Sequence, residues 1–165
     1  MASGQLIGRE QNMKNHKVES FEQMILMSAS GADTDITGTE AADMLVSDAD
    51  NQTLIGLGGN DTIEGGLNSL ISGGDGDDRI ITKDGTNVVD GGAGFDTLQL
   101  TNSQRSDFHV IDRGFGIVEI CSDTQRTFVT DVEAVQFSDG TFTIEQLLGG
   151  GSGGLDRRLA GRRLS

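Results

Sequence analysis

The stretch GGDGDDRII, Gly73 to Ile81, decides how this chain is read, together with GGAGFDTLQ from Gly91 to Gln99 and GLGGNDTIE from Gly56 to Glu64. Each opens on glycines, reaches an aspartate at the sixth position, and closes on three residues with an apolar one in the middle. Cutting the chain every nine residues from Gly38 extends the pattern to seven segments over residues 38–99, of which 65–72 is one residue short. With the missing residue assigned to the turn of that segment, the eighth position is apolar every time: Leu45, Leu54, Ile63, Ile71, Ile80, Val89 and Leu98. A glycine-rich linker has no reason to keep such a register, because it has no core to face.

The two halves of a segment do different work. Glycine and aspartate in the first six positions supply left-handed backbone and a tight turn. The last three, such as Thr62-Ile63-Glu64, alternate in and out as a short strand does. A turn and a strand every nine residues reverse the chain, so two segments complete one coil of 18 residues. Successive coils then stack as parallel strands about 4.8 Å apart. The expected fold is all-β: a parallel β-roll, a flattened solenoid of two sheets.

The segments resemble the RTX (haemolysin-type) nonapeptide G-G-x-G-x-D-x-U-x, with U apolar. Residues 73–81 and 91–99 match it at every position, and 56–64 departs at Leu57 alone. The resemblance implies a β-roll that binds Ca²⁺ in its turns, within a bacterial protein exported by a type I secretion system. It also implies ions held between stacked turns by an aspartate from each and by turn carbonyls. On this chain that names Gly56, Gly58, Gly59 and Asp61; Gly73, Gly74, Asp75, Gly76 and Asp78; and Gly91, Gly92, Gly94 and Asp96. One site falls between Asp61 and Asp78 and a second between Asp78 and Asp96. A third, between Asp43 and Asp61, is weaker because GTEAAD sets Thr and Ala where glycines are wanted. Asp75 and Asp77 add to the local field more than to the ligand set.

Alternate turns lie on opposite edges of the roll, and this sorts the acids. One edge carries Asp43, Asp61, Asp78 and Asp96; the other carries Gln52, a gap near Asn68 and Ser69, then Asn87. Metal is therefore expected along one edge, with Asp48 and Asp50 as a lesser candidate on the other. Carboxylates stacked about 5 Å apart repel by ~1 kcal/mol per pair in water and by ~3 kcal/mol at an effective dielectric of 20. Three such pairs rival a domain's whole stability of ~5–15 kcal/mol. The expected behaviour is a roll that is loose without Ca²⁺ and folds as two or three ions bind, with affinities of ~10⁻⁴–10⁻³ M as in extracellular modules.

The rest of the chain frames this unit. Residues 1–30 are a mixed polar flank in which 18–26 reads as one strand or one helical segment, and the roll spans 31–99. Residues 100–148 form a β-rich C-terminal cap, with strands expected at 108–111, 115–121, 127–129 and 132–137, because an open solenoid end exposes backbone and core. Residues 149–165 are a glycine-serine linker and a basic tail. That tail reads either as an uncleaved secretion signal or membrane- or partner-binding element, or as a disordered segment lying on acidic surface.

Composition narrows the function. The 165 residues carry a net charge of −14 with 18 Asp against 8 Glu, 25 Gly and no Pro, Trp or Tyr. Such a chain attracts cations and does not condense on nucleic acid. Cys121 is alone, so disulfide scaffolds are excluded, and His16 and His109 offer no zinc spacing. The glycine runs precede three-residue strands with no helix after them, so they are not dinucleotide fingerprints. No reaction centre emerges, and no enzyme is expected. Residues 1–20 contain no hydrophobic stretch of a signal peptide. The reading is a monomeric, secreted calcium-binding module that supports export and extracellular folding of its parent protein. The alternative is a polysaccharide- or surface-binding accessory module, disfavoured by the absence of Trp and Tyr.

Overall fold

The structure, a computed structural model, describes residues 24–27, 35–47, 49–100 and 103–149. The readings for residues 1–23, for Asp48 and for the tail from 150 onward lie outside these. The strands are β1 Met24–Met27, β2 Ile36–Thr37, β3 Met44–Ser47, β4 Thr53–Gly58, β5 Thr62–Glu64, β6 Leu70–Asp75, β7 Arg79–Ile81, β8 Gly85–Ala93 and β9 Thr97–Leu100. Beyond them come β10 His109–Gly114, β11 Ile117–Cys121, β12 Gln125–Thr130, β13 Ala134–Phe137, β14 Gly140–Thr143 and one helical turn, α1 Ile144–Leu147.

In the roll, β1 to β9, odd and even strands separate into two sheets, as a chain reversing every nine residues must. One runs β1-β3-β5-β7-β9-β13-β14, the other β10-β11-β12-β8-β6-β4-β2. Within the roll all neighbours are parallel, and Leu45, Ile63, Ile80 and Leu98 stand in register across one sheet while Leu54, Ile71 and Val89 do so across the other. These seven side chains, all fully buried, are the core of the solenoid. The coil is 18 residues except across the short segment, where Leu54 pairs with Ile71, so the missing residue falls in the turn before Ile71. Even strands β4, β6 and β8 are six to nine residues long against three or four for β3, β5, β7 and β9. The extra length of β4 and β6 is the start of the glycine-rich turn, which pairs with the neighbouring coil through a left-handed second residue before bending; β8 is longer at both ends and also pairs with β12 from Gly85 onward.

The cap does more than cover an end. After β9 the chain leaves the roll for the antiparallel hairpin β10–β11, then returns to it. Strand β12 lies parallel to β8, and β13 parallel to β9. Val129 stacks on Val89 and Val135 on Leu98, so both core columns gain one more rung from residues outside the nine-residue register. Antiparallel β11 and then β10 end one sheet, and antiparallel β14 ends the other. Phe137 packs against Phe108 with the rings tilted by 49° and centroids 5.4 Å apart, and edge-on against Phe142 at 6.0 Å. The four expected cap strands are present with shifted ends. Phe115 and Gly116 leave β11 to form the hairpin turn, both with left-handed backbone, and Asp131 at φ 46° turns Val132 and Glu133 away from β13.

Among the described residues of the cap, Glu119 is the buried acid. Arg113 and Arg126, from the flanking strands, both reach its carboxylate, Arg126 at 3.1 Å. A buried carboxylate needs such partners.

Candidate metal centre

The glycines at positions 1, 2 and 4 of the repeat turn have a steric reason, whereas a Cβ at Gly58, position 3, would meet only the flexible end of Glu40 at 3.0 Å. Position 2 (Leu57, Gly74, Gly92) and position 4 (Gly59, Gly76, Gly94) have φ between 83° and 145°, the left-handed side that glycine adopts freely. Position 1 is needed for closeness. A Cβ at Gly56 would lie 2.2 Å from both Asp61 Oδ2 and the Gly73 carbonyl oxygen; at Gly73, 2.3 Å from Asp78 Oδ2 and 2.4 Å from the Gly91 oxygen. The sixth-position carboxylate thus points back into its own turn, against the first carbonyl of the next.

The aspartates form a hydrogen-bonded column along one edge. Asp43 N donates to Asp61 Oδ1 at 2.8 Å, Asp61 N to Asp78 Oδ1 at 2.7 Å, and Asp78 N to Asp96 Oδ1 at 2.8 Å. One oxygen of each acid therefore ties neighbouring coils together. The other oxygen of Asp61, Asp78 and Asp96 is buried and has no hydrogen-bond partner. The three residues are at most 2% exposed. A buried acceptor left in this state costs on the order of 1–3 kcal/mol, more when charged.

The carboxyls respond as buried acids do. Desolvation pushes Asp61 up to about 7, against the hydrogen bond from Asp43 N and with help from the charges of Asp78 and Asp43. Burial raises Asp96 to about 6, aided by Asp78, Glu133 and Asp77, and raises Asp78 too, aided by Asp77. Without a cation the column is ill at ease in its ionised form.

The donor set fits a hard divalent cation. Among the described residues no three His, Cys, Asp or Glu side chains gather into a metal-holding group. An ion here would take one or two carboxylate oxygens and complete its shell with carbonyls, the all-oxygen shell of Ca²⁺. Asp61, Asp78, Gly56, Gly73 and Gly91 are the residues that would hold it. Gly74 and Gly92 at position 2 and Gly76 and Gly94 at position 4 lie over carbonyls of the preceding turn, namely those of Leu57, Gly74, Gly59 and Gly76.

Other expected residues are placed differently. Asp43 belongs to the column, but its Oδ2 already accepts from the backbone N–H and hydroxyl of Thr39, the residue standing where the repeat has its second glycine. Asp75 is exposed, in register with Gly58 and Ala93. Asp77 braces the turn, accepting from Phe95 N at 2.9 Å while its own N–H donates to Asn60 Oδ1. On the opposite edge the inward positions are Gln52, Ser69, Asn87 and Thr127, all buried and all neutral. Ser69 N donates to Asn87 Oδ1, Asn87 Nδ2 to the Lys83 oxygen, and Ser47 Oγ meets Gln52 Oε1. Asp50 accepts from Leu67 N at 3.0 Å. Side-chain amides and hydroxyls do on this edge what the aspartates do on the other, without charge.

One residue of the column escaped the sequence reading. Glu133 Oε2 accepts from Asp96 N at 2.7 Å, the role each aspartate plays for the one before it. Register shows it, since Glu133 precedes Ala134, the partner of Thr97, as Asp96 precedes Thr97 itself.

Comparison with protein families matches residues 37–69 and 66–98 to the RTX calcium-binding nonapeptide repeat, in four copies. No curated protein and no solved structure gives a significant match.

Proposed function

From the premise that the chain carries RTX calcium-binding nonapeptide repeats over residues 37–98, a family that binds Ca²⁺ and occurs typically in secreted proteins, we propose that it is a calcium-triggered folding module. At low Ca²⁺ the carboxylate column keeps the roll loose, which suits passage through a type I exporter. Outside the cell, bound Ca²⁺ neutralises the column, the coils close, and the folded roll supports folding of the parent protein. The observation that carries this reading is the line of three buried, unpartnered aspartate oxygens on one edge, each against a glycine that has no room for a side chain.

The test is a Ca²⁺ titration followed by far-ultraviolet circular dichroism on the wild type and on Asp78→Ala, the carboxylate shared by two cradles. Strand signal is expected to rise cooperatively with Ca²⁺ in the wild type and to need at least ten times more in the variant. A wild type already fully folded in chelator overturns the switch. A polysaccharide- or surface-binding role gains no support from the described residues: the exposed rings, Phe95 and Phe115, sit in separate turns and build no aromatic platform.

A further inference from the structure

The unpartnered oxygen of Asp96 faces no repeat. A Cβ on Gly91 would lie 2.8 Å from Asp96 Oδ2 and 1.8 Å from the carbonyl oxygen of Asp131. In the two cradles before it, the corresponding carbonyls belong to Gly73 and Gly91, the first residues of repeat turns. Here the carbonyl comes from the cap. Asp131 reaches that place through a different turn: Thr130 pairs with Asp90 and Ala134 with Thr97, so three cap residues span what six repeat residues span in the coil before. The left-handed backbone of Asp131 makes the short turn possible. Glu133, one methylene longer than aspartate, then reaches back to accept from Asp96 N.

We infer that the junction of roll and cap is itself a divalent-cation cradle, built from the Asp96 carboxylate, the Asp131 carbonyl and the Glu133 carboxylate, and lying outside the repeat segment. Asp96 is 0% exposed, and its Oδ2 and the Asp131 carbonyl oxygen both lie within 3 Å of the place a Gly91 Cβ would take (2.8 and 1.8 Å), with no donor to meet Oδ2, a crowding of oxygens that a cation or a proton reconciles. The cradle at the other end of the column has lost that feature, since Thr39 satisfies Asp43 Oδ2. The set of cation sites is thereby displaced toward the cap: Asp61, Asp78 and Asp96 head the three cradles, and Asp43 heads none. The short cap turn provides fewer carbonyls than a repeat turn, so the junction cation keeps more water and binds more weakly than its neighbours.

The inference rests on the calcium-binding reading of the roll, and the test separates the two. Equilibrium dialysis of the wild-type full chain against Ca²⁺ counts its sites: one ion per cradle, three in all, is expected. Fewer than three bound ions overturn the junction cradle and leave the roll's calcium sites standing, and no bound ion overturns both. In Glu133→Gln, which keeps an acceptor for Asp96 N–H but not the charge, one site should be weakened about tenfold and the others unchanged. An unchanged set of affinities in Glu133→Gln also overturns the junction cradle. The wild-type count needs no variant, so a Glu133→Gln chain that fails to fold does not remove the test.

Discussion

Protons should do part of the work of calcium. In chelator at pH 8 the buried carboxyls of Asp61, Asp78 and Asp96 must be ionised for the roll to form, yet burial raises all three above the usual carboxylate value of 3.8. In the unfolded chain they titrate near that value, so between pH 8 and pH 5 the folded state binds protons that the unfolded state does not. Stability of the metal-free roll therefore rises as pH falls through about 7 and about 6, the values for Asp61 and Asp96, and the gain levels off near pH 4. One pKa unit corresponds to about 1.4 kcal/mol. Because the acids share one column and hydrogen-bond to one another, their shifts do not add, and a total of about 3–4 kcal/mol is expected. With a urea slope of ~1–3 kcal/mol/M, that moves the unfolding midpoint by more than ~1 M. Circular dichroism in chelator at pH 8, 7, 6 and 5 measures it, the weak strand signal of the loose roll at pH 8 growing toward pH 5, with urea titrations at each pH where a folded population gives an unfolding transition. Asp61→Asn, which mimics the protonated acid, should be more stable than wild type at pH 8 and show a flatter profile. With Ca²⁺ present the dependence reverses, since protons then compete with the ion for the same oxygens. A metal-free chain that loses stability steadily from pH 8 to pH 5, or an Asp61→Asn profile parallel to wild type, would refute the reasoning.

Two substitutions probe the turn geometry. Gly73→Ala places a methyl group 2.3 Å from Asp78 Oδ2 and 2.4 Å from the Gly91 oxygen; it should abolish or weaken by more than tenfold the Ca²⁺-dependent rise in strand signal, and a titration unchanged from wild type would show that the cradle is not where the ion sits. Leu57 occupies a left-handed turn position at φ 83° with its side chain 41% exposed, so Leu57→Gly should stabilise the Ca²⁺-loaded chain by up to about 1 kcal/mol through relief of backbone strain. Thermal unfolding at saturating Ca²⁺ measures this, and a clear loss of stability would mean that the Leu57 side chain packs to more effect than its exposure suggests.

The roll was legible because its information is local and repeated. Seven apolar residues at a fixed spacing announce a one-residue-wide core, and the same residues are the buried column. Column chemistry was legible too, because a period of 18 decides which turns share an edge. What local reading missed depends on register set elsewhere. Thr39 sits at a position that the repeat pattern marks as a lost glycine, and nothing in the pattern says that its hydroxyl and N–H will satisfy Asp43. The cap's return into both sheets is invisible because Val129 and Val135 are six residues apart where the repeat would set nine. Glu133 was hidden for the same reason: its sequence neighbours Val132 and Ala134 say only that a strand is near, and it becomes a column residue only once β13 is paired with β9.

The unequal edges of the roll suit the proposed switch, a coil that is loose without calcium and closed with it. On the neutral edge, Gln52, Ser69, Asn87 and Thr127 need no ion, and hydrogen bonds such as that from Ser69 N to Asn87 Oδ1 at 3.0 Å join successive coils there. Had both edges carried aspartates, the uncompensated repulsion in the metal-free chain would be about twofold larger, and each coil would have to recruit ions on both sides before either could close. Had neither edge done so, the roll would close wherever it was made, inside the cell as readily as outside. One charged edge leaves the apolar column and the neutral edge favouring the coil, opposed by a single line of carboxylates. On the proposed switch the balance turns on whether Asp61, Asp78 and Asp96 find cations, and Glu133, which accepts from Asp96 N at the end of the column, would hold the cap to the same condition as the repeats.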